Sequence, residues 1–383
     1  MLDNIDIEGL KGVGRVKLSF ASARRVRVLF GVNGVGKTKS LEAIYLALLF
    51  THEVVLREKG RSGIRVKPWW PFSKIKVDGE LLTNDLSELS DVVQVNQLAL
   101  VEVRHDKPLV YIGAGGRSSV GPQSKTISAL GDFEQRREAH VDRLLGECSS
   151  GLRLAGMASD VRGWFVQRAQ SVNPFQIEKD NLRGEIDAVL GLLNKIDSRV
   201  DSGRMQIDGA QRVFLSIEGR MVELGELSSG FASVVKLFQA IISGFSNFTN
   251  SKDLQHLPGI VLIDEIESHL HVSWQTTIVK RLKELFPNTQ FLISTHSPLV
   301  LTQLEQGEAY LLERDEVDGI VRAREIDSPN MKAFADVLEE TFGVDLNALK
   351  REALASEDQG KVKRALLELA KRNRLRRTGG SAD

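Results

Sequence analysis

Two rhythms of apolar positions run along this chain. Leu2 to Glu8 and Arg15 to Phe20 alternate apolar with polar residues, punctuated by Gly9, Gly12 and Gly14, which predicts two strands. Arg25-Val26-Arg27-Val28-Leu29-Phe30 predicts a third, and Leu41 through Phe50 is nearly all apolar and long enough for a buried helix. From Ile64 to Ile112 the pattern is strand-like again: Ile75-Lys76-Val77, Val93-Gln94-Val95, Leu100-Val101-Glu102-Val103 and Leu109-Val110-Tyr111-Ile112. This predicts an antiparallel subdomain inserted after the first helix. Gly113 to Gly121, rich in Gly and Ser, reads as a surface loop.

Ile127 to Val200 is mostly helical in pattern. Phe133, Val141, Leu144 and Leu145 are apolar among charges, and Ile186, Val189, Leu190 and Leu193 keep the i, i+3, i+4, i+7 spacing. Val213–Ile217 and Met221–Leu224 return to strand. Beyond Leu227, helix Phe231–Phe245, strand Ile260–Asp264, helix Ser273–Phe286 and strand Gln290–Ser294 alternate. Such alternation predicts a parallel sheet with helices on its faces. Tyr310–Leu312 and Ile320–Ala323, around Asp318-Gly319, predict a hairpin, and two or three helices close the chain. The expected organisation is α/β with four segments. These are an N-terminal lobe over 1–126, an inserted helical lobe over 127–205, a C-terminal lobe over 206–328, and terminal helices with a basic tail over 329–383.

Candidate chemistry sits where these elements meet. Gly31-Val32-Asn33-Gly34-Val35-Gly36-Lys37-Thr38 fits G-x-x-x-x-G-K-[ST] between a predicted strand and a predicted helix, the context that supports a phosphate loop. Its main-chain N–H groups and the helix N-terminus would face the phosphates of ATP. Lys37 can reach the β- and γ-phosphates, Thr38 can offer its hydroxyl to Mg²⁺, and Lys39 stands beside them. The apolar run Ile260–Ile263 delivers Asp264 to the sheet edge as a metal ligand and Glu265 as a base for the attacking water. Leu227-Ser228-Ser229-Gly230 opens a helix and suits close approach of N–H groups to phosphate. His296, after the strand ending at Ser294, can hydrogen-bond the γ-phosphate. Gln94 and Gln97 are alternatives for a glutamine linking metal and γ-phosphate to the outer subdomain. His269 and His271 with Glu267 suggest a metal site only weakly, since no third convergent ligand is visible.

Composition narrows the picture. Of 383 residues, 42% are hydrophobic and 27% charged, as in an ordered protein. Basic and acidic residues balance at 51 each, which argues against a nucleic-acid coat over the whole surface but permits a local patch. Such a patch is offered by Lys361, Lys363, Arg364, Lys371 and Arg372, beside an apolar stripe, and adjacent Trp69 and Trp70 are a second candidate interface. The single Cys148 rules out an internal disulfide and suits a reducing cytoplasm. No uninterrupted apolar run approaches the ~18 residues of a membrane span, so no membrane partner is expected.

Phosphate loop, Leu-Ser-Ser-Gly, Asp-Glu and Ser-Thr-His-Ser-Pro, in this order, resemble the motifs of ABC-superfamily ATPase heads, over roughly Leu2–Pro298. The resemblance implies a P-loop NTPase head with a mixed sheet, and a homodimer or larger assembly in which Ser228 and Gly230 touch the partner's γ-phosphate. Ser229 and Phe231 depart from the family's signature, which has Gly and a polar residue there. The helical segment is too short for the long arm of a chromosome-organising ATPase. Glu267-Ser268-His269-Leu270-His271 and the stretch Phe334–Val344 are similar to the bacterial AAA-type family allied to RecF and OLD. Many members of that family are ATPases of antiphage modules such as Septu, PARIS and retron systems. The resemblance implies an ATP-hydrolysing switch that controls a separately encoded effector, a nuclease first among the candidates. A RecF-like repair ATPase binding DNA or RNA is the alternative, and a transporter ATPase fits less well, because 36 positions separate Ser228 from Asp264.

Overall fold

The structure is a computed structural model that describes residues 2–21, 24–60, 65–66, 72–82, 93–94, 104–118, 120, 130–157 and 160–331, with three single positions beyond. The chain divides into two compact units, Met1–Met331 and Lys332–Asp383. The expected terminal helices, the Phe334–Val344 stretch, Leu100–Val103, Trp69, Trp70 and Gln97 lie outside the described residues, as does almost all of the second unit.

The first unit is built on a ten-stranded sheet. Its strands are β1 (Asn4–Leu10), β2 (Gly14–Ser19), β3 (Val26–Phe30), β5 (Lys74–Val77), β6 (Glu80–Leu81), β8 (Leu109–Ile112), β12 (Ile260–Ile263), β13 (Gln290–Ser294), β14 (Ala309–Arg314) and β15 (Val321–Glu325). Their order is β6-β5-β1-β2-β15-β14-β3-β13-β12-β8. The run β14-β3-β13-β12-β8 is parallel throughout. β3, β8 and β12 are buried along their whole length, which explains the unbroken apolar sequences of β8 and β12; in β3 the buried Arg27 donates to the Leu2 carbonyl and pairs with Asp3. At the other edge, β1 pairs antiparallel with β2 and β5. There the alternation sends Ile5 and Ile7 into the core and leaves Asp6 for Arg15 across the ladder.

The antiparallel subdomain expected over Ile64–Ile112 is not one unit. β5 and β6 extend the main sheet, β4 (Arg65–Val66) pairs only with β7 (Val93–Gln94), and β8 lies parallel to β12 at the opposite edge. Periodicity marks a strand but not its neighbour, and that is where the expectation fails. A separate antiparallel sheet joins β9 (Val200–Ile207), β10 (Val213–Ile217) and β11 (Arg220–Glu223).

Among the described residues of the first unit, the α-helices are α1 (Lys37–Thr51), α2 (Glu53–Gly60), α3 (Phe133–Ser150), α4 (Val161–Gln170), α5 (Arg183–Ile196), α6 (Ser229–Phe248), α7 (Val272–Gln275), α8 (Ile278–Leu285) and α9 (Pro298–Leu301). α3 to α5 form the expected helical stretch, and α3 opens on a capping box between Asp132 and Gln135. The helix expected over Ser273–Phe286 is broken into α7 and α8. Thr276 and Thr277 turn their hydroxyls back onto Ser273 and Trp274 carbonyls, and the Gln303 carboxamide accepts from the Val279 and Lys280 amides to start α8 afresh. α6 is buried from Gly230 to Phe248. It is long and apolar enough to cross a membrane, although the sequence reading found no such stretch, but its apolar window is wholly buried within the fold.

The far ends of α1 and α6 are pinned together. His52, just after α1, packs its ring 4.4 Å from Phe248, the last residue of α6, and 4.9 Å from His105. His140 of α3 packs edge-on to Phe248 at 5.1 Å. Burial keeps all three imidazoles below their usual range, His52 at about 3.

Candidate functional site

The C-terminal ends of β3, β12 and β13 converge on one corner. After β3 the chain turns through Gly31, Gly34 and Gly36, all with positive φ. Gly36 caps α1 at φ 109, where a Cβ would meet Val13 Cγ1 at 2.9 Å, so no other residue suits the position. Lys37 curls back over its own loop, and its Nζ donates to the Gly31 carbonyl at 2.7 Å and the Val32 carbonyl at 3.1 Å. Burial lowers Lys37 to about 8, opposed by the carboxylates of Asp264, Glu267 and Glu265. Val32, Asn33 and Gly34 are exposed and Val35 is buried, so the loop presents its backbone outward from an apolar anchor. Lys39 Nζ donates to the Lys11 carbonyl.

Asp264, 4% exposed, follows β12 directly. Its Oδ1 accepts from Thr38 Oγ1 at 2.9 Å and from Ser294 Oγ at 2.6 Å. Burial raises its carboxyl, and those two hydrogen bonds oppose the rise. One hydroxyl and one carboxylate oxygen thus meet at the start of α1. Such hard oxygen donors suit Mg²⁺ and leave most of its coordination to phosphate and water. Among the described residues, no three His, Cys, Asp or Glu side chains gather as a metal cluster.

Glu265 stands beside this pair, half-buried, with φ at 49. Both ends of the residue are held. Its amide donates to Ser294 Oγ at 2.9 Å and its carbonyl accepts from Arg117 Nη1 at 2.8 Å, while Oε2 accepts from Ser268 Oγ at 3.0 Å. Glu267 serves the neighbouring strand. Its Oε1 accepts from the His296 amide and its Oε2 from Thr295 Oγ1, both at 2.6 Å, so this carboxylate fixes the backbone that presents His296. His271 caps α7 by accepting from the Ser273 amide, and His269 is exposed.

The Gly113–Gly121 stretch was expected to be a surface loop, and the part described is not. Arg117 is 1% exposed, and its guanidinium donates to the carbonyls of Gly113, Ile112, Asp264 and Glu265. Gly113 and Gly115 donate their amides to the Ala155 and Arg153 carbonyls, and a Cβ on Gly113 would lie 2.2 Å from the latter oxygen. Lys236 of α6 reaches the Gly116 carbonyl from the other side. Glycine content signals close backbone approach as readily as exposure, and the single arginine among the glycines was the available clue.

Ser228 and Ser229 are exposed at the start of α6, where Ser228 Oγ accepts from the Phe231 amide at 3.3 Å. Gly230 is buried, and a Cβ there would meet the His269 carbonyl at 3.2 Å. Phe231 packs 5.9 Å from Trp274. Among the described residues, no hydrogen bond joins this turn to Gly31–Thr38. Gln94 lies on β7 in the small β4–β7 ladder. The strand beside the carboxylate strand is instead β8, followed by Gly113–Arg117. Sequence reasoning missed Arg117 as a site residue, gave Ser294 no role beyond its motif, and raised Glu267 only as a weak metal candidate. It also missed Glu42 of α1, a buried carboxyl raised to about 7 by burial and then by Asp264.

A family model described as "AAA domain, putative AbiEii toxin, Type IV TA system" matches residues 157–302. A Septu protein PtuA of Bacillus mycoides (strain KBAB4) is 26% identical over 351 residues, covering 87% of this chain and 43% of that protein. A Septu protein PtuA of Bacillus thuringiensis is 23% identical over 364 residues, covering 90% of this chain and 85% of that one. The "Retron Vc95 probable ATPase" of Vibrio cholerae serotype O1 biovar El Tor is 70% identical over 54 residues, 14% of this chain and 10% of that protein. With its parallel β14-β3-β13-β12-β8 core, glycine loop and carboxylate corner, the chain has an α/β architecture with a phosphate-loop sequence, and it is similar in sequence to Septu PtuA proteins and, over a short stretch, to a retron ATPase.

Proposed function

We propose that this chain binds ATP with Mg²⁺, closes on a second copy of itself, and hydrolyses the nucleotide. As the ATPase switch of a cytoplasmic antiphage module, it would control a separately encoded effector, in our reading a nuclease. The observation that carries the reading is the corner where Thr38 and Ser294 both bond Asp264 while Ser294 also holds the amide of Glu265. In this reading the Gly31–Thr38 amides and Lys37 bind the β- and γ-phosphates, Lys37 exchanging its two loop carbonyls for phosphate oxygens. Thr38 and Asp264 would hold the metal, which when bound neutralises charge on the phosphates. Glu265 orients a water and takes its proton as the water oxygen bonds to the γ-phosphorus and the bond to the ADP oxygen breaks. His296 donates to the γ-phosphate.

Ser228, Ser229 and Gly230 would complete the site of the other copy. The exposure of Ser228 and Ser229, and the lack of any bond from this turn to the chain's own loop among the described residues, support that division of labour. The defence role rests on the names of the relatives, and spanning 43% of one of them leaves that protein's whole activity a matter for experiment. The test is ATP turnover together with solution mass. Glu265→Gln should bind ATP, cease turnover and accumulate as a dimer, and adding Ser228→Arg should return it to monomer. A chain that bound ATP without ever changing mass would overturn the reading.

A further inference from the structure

Glu265 occupies the left-handed region at φ 49, a conformation that costs a non-glycine residue about 1 kcal/mol or more and persists only where the surroundings enforce it. The Ser268 amide donates to the Glu265 carbonyl at 2.9 Å, and the Ser268 hydroxyl donates to its carboxylate. Ser294 takes the amide, and Arg117 takes the carbonyls of both Glu265 and Asp264. The same guanidinium grips Gly113 and Ile112 at the end of β8, so it rivets two parallel strand ends together beyond their last ladder bond. A buried guanidinium is expensive unless its donors are satisfied, and here four carbonyls take four of its five N–H groups.

The loop that carries Arg117 is gripped in turn by the elements around α6. Gly113 and Gly115 pair with the backbone at Ala155 and Arg153, and Lys236, buried in α6, donates to the Gly116 carbonyl and reaches Met157. Lys236 lies eight residues, about two turns, along the helix that Ser228 begins. α6, buried from Gly230 to Phe248, thus connects the signature turn to Gly116, the residue beside Arg117.

We propose that Arg117 is a positioning residue that holds Glu265 in its working conformation, and that Lys236 makes this hold depend on the seating of the signature helix. This rests on the reading of Glu265 as the base.

The test compares wild type, Glu265→Gln, Arg117→Lys, Arg117→Ala and Lys236→Met in the full chain. For each, kcat, ATP affinity from a fluorescent analogue, and melting temperature are measured. Arg117→Lys keeps a charge but cannot span four carbonyls. It should lose about 100-fold in kcat, the usual consequence of a misplacement near 1 Å, with ATP affinity within about twofold of wild type. Arg117→Ala should regain turnover when guanidinium is added at non-denaturing concentration, which a generally damaged fold would not do. Lys236→Met should lose about tenfold in kcat, again at unchanged affinity. If Arg117→Ala does not fold, Arg117→Lys and Lys236→Met decide. Near-normal turnover in Arg117→Lys, or losses of kcat and affinity in parallel, would overturn the proposal while Glu265→Gln remains inactive. A wild-type chain without turnover would instead sink the reading of Glu265, and this inference with it.

Discussion

The carboxylate corner and the signature turn are built to opposite standards. At the corner, Asp264 is buried, accepts two hydroxyl hydrogen bonds and shares one of those hydroxyls with the Glu265 amide, while Arg117 ties down both carbonyls. At the turn, Ser228 and Ser229 face solvent, and Ser228's side chain bonds only to the first turn of its own helix among the described residues. On the proposed reading, a fully bonded corner would be preorganised for charge that develops during reaction. An exposed helix start with free amides is half of an anion site, and it gains meaning only when another surface brings the anion. The two regions share an anchor. α1 leaves the phosphate loop, α6 leaves the turn, and both end against the His52–Phe248–His140 cluster.

The comparison can be broken at several depths. The largest expected effect is at the finished half: Glu265→Gln should lower turnover by about 10²- to 10⁴-fold, the range of general base catalysis, while ATP affinity by fluorescence stays within about threefold. Next is Lys37→Ala, which removes a charge-assisted contact and should weaken ATP binding by about ten- to a hundredfold in a calorimetric titration. The open half is tested by mixing. Lys37→Ala and Ser228→Arg should each be nearly inactive alone. An equal mixture should recover turnover, up to about a quarter of wild type if the two chains pair at random, because each mixed dimer carries one intact site. No recovery would mean that both halves serve one chain. Glu267→Gln should keep ATP binding and lose about tenfold in kcat, since it loosens the backbone of His296 rather than a reacting group.

The shared anchor should show itself in acid. Unfolded, each of the three histidines binds a proton below about 6.5, whereas His52 in the fold stays neutral down to about 3. Between these values the unfolded chain holds more protons, so stability falls as pH drops, by about 1.4 kcal/mol per pH unit for each histidine kept neutral. Melting temperature should decline from pH 6.5 towards 4.5, and less steeply in His52→Gln. A flat profile would remove the cluster from the account.

What could be read in advance follows the range of each signal. The phosphate loop was legible because Gly34, Gly36, Lys37 and Thr38 act within one turn, and strand-loop-helix is a local arrangement. Asp264 was legible as the polar end of an apolar run. Arg117 was not, because four carbonyls distributed over two strands make it what it is, and no spacing in the chain encodes their meeting. Glu267, at most a weak metal candidate beside two histidines, became a backbone anchor once β13 was laid parallel to β12. The placement of β8 at the far edge, rather than in an antiparallel subdomain, was invisible for the same reason.

The sequence by itself therefore determined the elements, the phosphate loop and the acidic end of the carboxylate strand, since each is written in contiguous residues whose periodicity or backbone needs are local. Only the tertiary structure decided which strands lie side by side, and hence that Ser294, Arg117 and Glu267 converge from distant positions on one corner. Strand order is chosen by burial of whole faces, and hydrogen bonds between chain-distant groups form only after that choice is made.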